Sequence, residues 1–264
     1  MFVVAVAHLA GDLDSAAEAL GKAADVAPFD VRARLGGPLP RVLFQSKEME
    51  EARRVMLAAR SLGHGVVACD SRTVVPSQRM VHVRRFALDE TFLWANAGGA
   101  ERLELADVAA IVACATRTAV MRSTVEKDLV TFGAHRRSYA VDTEHTRHEH
   151  AVDYAAYVFP MPARDGDPEV APFLLQEGEL KYVALGPSLR PTRRENFMLT
   201  LELLRARTRA PYDDRFLAHP GPATHLVRAR DHDAVATGRT DGATDLTAHL
   251  LALWLTQQGS PYRQ

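Results

Sequence analysis

The hydrophobic period of this chain changes once, near Pro76, and no other feature of the sequence limits the fold as much. Before that point, short unbroken apolar runs alternate with stretches whose apolar residues recur every three to four positions. After it, apolar and polar residues tend to alternate, as they do in half-buried strands. A chain patterned this way is expected to be α+β: a small mixed unit first, then an antiparallel β-rich unit with a closing helix and a C-terminal tail helix.

The first unit reads as β-α-α-β-α-β over residues 1–74. "FVVAVA" at 2–7 is a continuous apolar run of β-formers, the mark of a buried strand. In "LDSAAEALGKAADV", Ser15 and Glu18 have capping-box spacing, and Ala16, Ala17, Leu20 and Ala24 line one helical face. "PFDVRARLGG" predicts a second helix stopped by Gly36 and Gly37. "RVLFQ" is a strand. The next helix is capped by Ser46, carries Glu48, Glu50 and Glu51 at its positive end, and is predicted to bury Met49, Ala52, Val55, Met56, Ala59 and Leu62. Gly63 ends it and "GVVACD" closes the unit.

The apolar first strand, the Gly36-Gly37-Pro38 turn and the helix-Gly-strand unit "EEARRVMLAARSLGHGVVAC" resemble the C-terminal domain of the bacterial ribosomal stalk protein. The same arrangement is seen in the protease adaptor that delivers N-degron substrates. The resemblance covers residues 1–72 and implies a protein-docking module. The stalk domain recruits its factors through lysines on its first two helices. Only Lys22 stands in that region here, so the resemblance does not carry that partner with it.

Beyond Pro76, "MVHVRRFALDE", "TFLWANAGG", "RLELADV", "AAIVACATRTAV", "YAAYVFPM" and "APFLLQEG" are predicted strands, separated by Asn96–Gly99, Asp165-Gly166-Asp167 and Glu177-Gly178. A helix follows at "PTRRENFMLTLELLRARTRAP", with Thr192 and Glu195 as a capping box and Pro211 barring continuation. Strands in sequence closed by one helix suggest a small barrel-like sheet over 77–217. The "LELADVAAIV" stretch resembles the strand-turn-strand of bacterial PH-like domains. Residues 218–242 read as a linker or arm, and 243–264 as a final helix capped at Thr244. Leu246, Leu250 and Trp254 form one stripe of that helix, with Leu251 and Leu255 beside it. So wide an apolar face needs cover, either within the chain or as a homodimer surface.

Composition removes several classes of function. A formal net charge of -1 and 7% aromatic residues argue against nucleic-acid binding, which needs cationic stripes and stacking platforms. No stretch approaches the apolar length of a membrane span, and the start has no basic leader, so the expectation is the cytoplasm. The lysine-poor, arginine-rich usage fits a GC-rich bacterial genome. Cys69 and Cys114, far apart in apolar settings, read as buried thiols.

Three clusters carry candidate chemistry. "DTEHTRHEH" offers His145, His148, His150 and Glu149 as metal ligands, with Asp142 and Glu144 beside them. The H-x-x-H-x-H spacing converges on neither a helix nor a strand, and Arg147 with nearby Arg136 and Arg137 would repel a cation; a solvated loop or hairpin is the stronger reading. Arg190, Arg193 and Arg194 crowd a helix start and could hold an anion or lipid headgroup. Asp213 and Asp214 in "YDDRF" could be paired carboxylates, but after Pro211 they read as a turn. No nucleophile elbow, phosphate loop or dinucleotide motif is present. The sequence therefore points to a protein-docking or regulatory scaffold with an unidentified protein partner, no catalytic residues and no cofactor. A metal-dependent hydrolase or sensor and a small-anion binder are the alternatives.

Overall fold

The computed structural model describes the backbone of residues 1–96, 101–132, 137–163, 170–218 and 241–259, and their side chains except 116–132, 137–151, 241 and 259. The first unit has the expected order: β1 (Phe2–His8), α1 (Leu13–Ala24), α2 (Pro28–Leu35), β2 (Arg41–Ser46), α3 (Met49–Ser61) and β3 (Gly65–Asp70). Its sheet runs β2-β1-β3, with β1 antiparallel to both neighbours.

Local chemistry sets the helix ends. Asp12, not Ser15, caps α1: its carboxylate accepts both the Ser15 backbone N–H at 2.9 Å and the Ser15 hydroxyl at 2.8 Å, so the helix begins before the predicted box. Ser46 serves α3 from three residues before its start, accepting from the Glu48 N–H and donating to Glu51. Gly63 follows α3 with φ +84°, a conformation that costs glycine little. Ala52, Val55 and Ala59 are buried as predicted, but Met49 and Leu62 are exposed. They sit at the two ends of the helix, where its buried face no longer meets the sheet.

The second unit contains β4 (Val81–His82), β5 (Phe86–Leu88), β6 (Phe92–Ala95), β7 (Glu101–Glu104), β8 (Val108–Phe132), β9 (Arg137–Pro160), β10 (Phe173–Gln176), α4 (Arg193–Arg207), β11 (Tyr212–Asp214) and α5 (Arg215–Ala218). Two sheets form, not one barrel-like sheet. One is a three-stranded meander, β5-β6-β7; the other has the order β11-β8-β9-β10-β4. Its two edge pairs, β11–β8 and β10–β4, are parallel. The "YDDRF" segment, read as a turn, thus supplies an edge strand, with Tyr212 and Asp213 paired to Ile111 and Val112.

The continuous apolar runs explain the layering, because such a strand must be covered on both faces. On one face of the first sheet, Val4, Val6, Leu43 and Val66 pack with Leu20, Val31 and Val55 of the helices. On one face of the five-stranded sheet, Ile111, Ala113, Val158 and Phe173 pack with Phe197, Leu201 and Leu204 of α4. The remaining face of each sheet meets the last helix, α6 (Asp241–Gly259). Leu250 packs with Ala5 and Val67 of the first sheet. Ala248, Leu251 and Ala252 pack with Ala110, Val112, Tyr157 and Leu174 of the second. Trp254 belongs to both contacts.

The tail helix is therefore a central layer, covered within the chain. A homodimer through this helix, raised by its apolar stripes, would have to open both contacts. Thr244 lies within the helix, since α6 already includes Asp241. The linker reading of 218–242 falls almost wholly on residues outside the described ones.

One carboxyl group sits inside this apolar layer. Asp245 on α6 is 1% exposed; it accepts the Ser77 N–H and the Tyr157 hydroxyl, each at 2.8 Å. Replacing Asp245 with Ala leaves two buried donors without this acceptor. The expected loss is roughly 2–5 kcal/mol, with Asp245→Asn costing clearly less because an acceptor remains. Urea unfolding of the two variants measures it.

Candidate functional site

The most unusual geometry in the molecule is the β8–β9 pair. Its base lies inside the five-stranded sheet, with β10 paired along Ala155–Val158 and β11 along Ile111–Val112. Support stops abruptly after that. On the β8 side, the chain turns from β11 into α5, and Phe216 makes a last bridge to Cys114. On the β9 side, β10 ends at Gln176 opposite Ala155. From Thr116↔Asp153 to Phe132↔Arg137 the two strands pair only with each other among the described residues. At about 3.3 Å per residue this is an arm about 55 Å long.

The collar of side chains at its base explains why the third strand stops there. Glu177 N–H donates to the Tyr154 carbonyl at 2.8 Å, the last backbone bond of that ladder. Beyond it the Asp153 side chain, not its backbone, takes the Gly178 N–H at 3.3 Å. Tyr182 donates its hydroxyl to the Glu177 carbonyl at 3.1 Å. The Arg194 guanidinium lies 3.9 Å from the centre of the Tyr154 ring, a cation–π contact.

Burial raises the carboxyl pKa of Asp153, and the neighbouring Glu179 charge adds to it, against the Gly178 hydrogen bond and Arg193. Glu177 is raised by burial and by Asp153, again with Arg193 opposing. The sign follows directly. A carboxyl whose folded-state pKa lies above its unfolded value binds protons more tightly when folded. Its stabilising contribution is present below 3.8, the ordinary aspartate value, and is lost as pH rises through the raised folded value. Asp153→Asn should therefore flatten the acid side of the stability profile, as read by denaturant midpoints from acid to neutral pH.

The predicted anion-site arginines stand around the start of α4. Arg190, Arg193 and Arg194 are all exposed. Thr192 and Glu195 form the predicted capping box, so a carboxylate of the chain already occupies the N-terminus of α4. The Asn196 side chain brackets Arg190, accepting from its N–H at 2.7 Å and donating to its carbonyl at 2.9 Å. Arg193 faces the acidic collar and Arg194 covers Tyr154. Asp213 is held by Arg215 through a 2.8 Å hydrogen bond from its Nε, and Arg215 also reaches the Leu39 carbonyl of the first unit.

The side chains of His145, His148, His150 and Glu149 lie outside the described residues. Their backbone belongs to β9, where a solvated loop or hairpin was the expectation. Among the described residues no group of three or more His, Cys, Asp and Glu could hold a metal. The collar itself escaped sequence reading. Asp153 and Glu177 are separated by a whole strand-turn-strand, and only the β9–β10 register unites them.

Both cysteines are insulated. Burial, with Asp70 nearby, pushes the Cys69 thiol up to about 11; burial, with Asp245 nearby, pushes Cys114 up to about 12. Thiolates are scarce at such values. Both thiols should react slowly with a disulfide reagent near pH 8 in the folded protein and promptly in denaturant; a stopped-flow trace with one fast native thiol would contradict this.

No protein-family model, curated protein or solved structure matches this chain. Among the described residues no helix is long and apolar enough to cross a membrane.

Proposed function

We propose that the chain is a non-catalytic docking or scaffold protein of the bacterial cytoplasm, and that the β8–β9 arm is its working part. The observation that carries this reading is the ladder from Thr116↔Asp153 to Phe132↔Arg137, which no other described strand supports. Each outer edge of a two-stranded ribbon presents a row of backbone N–H and C=O groups. Such edges are templates for an added strand, and β-augmentation is a recurrent mode of protein recognition. An isolated two-stranded hairpin is only marginally stable in water, so a ribbon of this length gains most from a partner that covers it.

The chemistry of the described residues agrees with a binding role. Asp245, Asp213, Asn196 and Glu195 all accept hydrogen bonds that fix helix ends or layers. The thiols are held protonated. The layered body below the arm is a platform joined through α6, suited to holding the arm in one direction.

The test is a chain in which Thr116 is joined to Asp153 through Asn-Gly, a sequence suited to a tight hairpin turn. The residues of the hydrophobic clusters and the collar are all retained, so the body is expected to fold with unchanged near-UV dichroism. Proteins captured on the full chain from bacterial extract should be missing from the arm-deleted one. Identical captures on both would remove the arm from the function.

A further inference from the structure

The arm's own ladder matches its charges unevenly. Register sets Arg122 directly across from Arg147, a like-charge pair, and sets Glu126 across from Thr143. Lys127 stands opposite Asp142, a position of opposite charge. Like charges directly opposite destabilise a strand pair, and opposite charges stabilise it. Arg122 and Glu126 lie two residues to either side of Thr124. That symmetry is what a strand needs in order to pair with itself.

We propose that the β8 edge of the arm pairs antiparallel with the β8 edge of a second copy, about a twofold axis at Thr124. This rests on the arm being the docking element. Two ribbons then make one four-stranded antiparallel sheet. Position 122 of each copy then stands opposite position 126 of the other, which sets a basic residue opposite an acidic one twice over. Position 118 faces 130 and position 119 faces 129, which sets Thr118 against Val130 and Ala119 against Leu129. Lys127 faces Met121. A one-residue slip would set Arg122 against Lys127 twice, so charge resists that slip. The contact is isologous and closes at two copies.

Composition distinguishes the two edges. Positions 137–153 of β9 carry Arg137, Asp142, Glu144, His145, Arg147, His148, Glu149, His150 and Asp153. The paired stretch of β8 carries only Arg117, Arg122, Glu126, Lys127 and Asp128 over the same length. Dense charge is how exposed edges are kept from pairing. That assigns β9 to the outer edge of the four-stranded sheet and β8 to its middle. The histidine-rich run then needs no metal to account for it.

Sedimentation equilibrium of the full chain across a dilution series tests the proposal. The full chain should be a dimer. Arg122→Glu and Glu126→Arg should each weaken it by about tenfold or more, since each sets like charges opposite one another twice. Mixing the two singly reversed chains should restore a dimer of near-original affinity, because every 122–126 contact is then of opposite sign. Near-UV dichroism and thermal unfolding of the body should not change in either variant. A full chain that stays monomeric overturns the proposal, as does a dimer that survives arm deletion, a dimer indifferent to either reversal, or a mixture that fails to recover. A monomeric full chain that still loses a different protein when the arm is removed overturns the self-pairing alone and leaves the docking reading standing. An arm deletion that changes neither self-association nor capture overturns both.

Discussion

The structure depends on a shared apolar helix between two sheets that each lack a polar face. β1 and β8 are apolar along almost every residue of their buried stretches. The helices of the first unit satisfy one face of β1, and α4 one face of β8. The two faces left over both meet α6, Leu250 against one and Leu251 against the other. A helix that serves two sheets must be apolar nearly all round. Within it Asp245 fixes orientation: its hydrogen bonds to Ser77 and Tyr157 are available in one rotation and one axial position only, whereas leucine contacts are forgiving.

How far the sequence was legible follows from how local each determinant is. The Thr192–Glu195 box and the Gly63 stop are settled within a few residues and could be read directly. The Asp12 cap was misplaced because two candidate caps stand three residues apart and the carboxylate serves both Ser15 donors. "FVVAVA" announces a strand buried on both faces but not what buries it. The pairing of Tyr212 and Asp213 with β8 exists only through tertiary contact, so nothing in "YDDRF" signals a strand.

A hairpin was one reading of the histidine-rich run, but the length of the arm was not legible, and the reason is physical. Alternation of apolar and polar residues records a strand with one dry face. A ribbon that pairs with no other described strand leaves no such record, and "DTEHTRHEH" therefore reads as a solvated loop or hairpin while its backbone continues β9. The collar at the arm's base was hidden for a different reason. Its carboxylates, Asp153 and Glu177, come from separate strands, and the three-dimensional register supplies the meaning. Of the suspected arginine cluster, Arg193 acts on the collar carboxyls through its charge and Arg194 covers Tyr154.

The position of α6 in the chain has a consequence for biosynthesis. Both sheets are complete in sequence by Asp214, yet each still lacks half of its cover until α6 emerges from the ribosome. During that interval the nascent protein displays two bare apolar surfaces. Final collapse is then a single late docking step with high contact order, and a ribosome that stalls short of α6 releases a sticky, half-clothed intermediate for the quality-control machinery to handle.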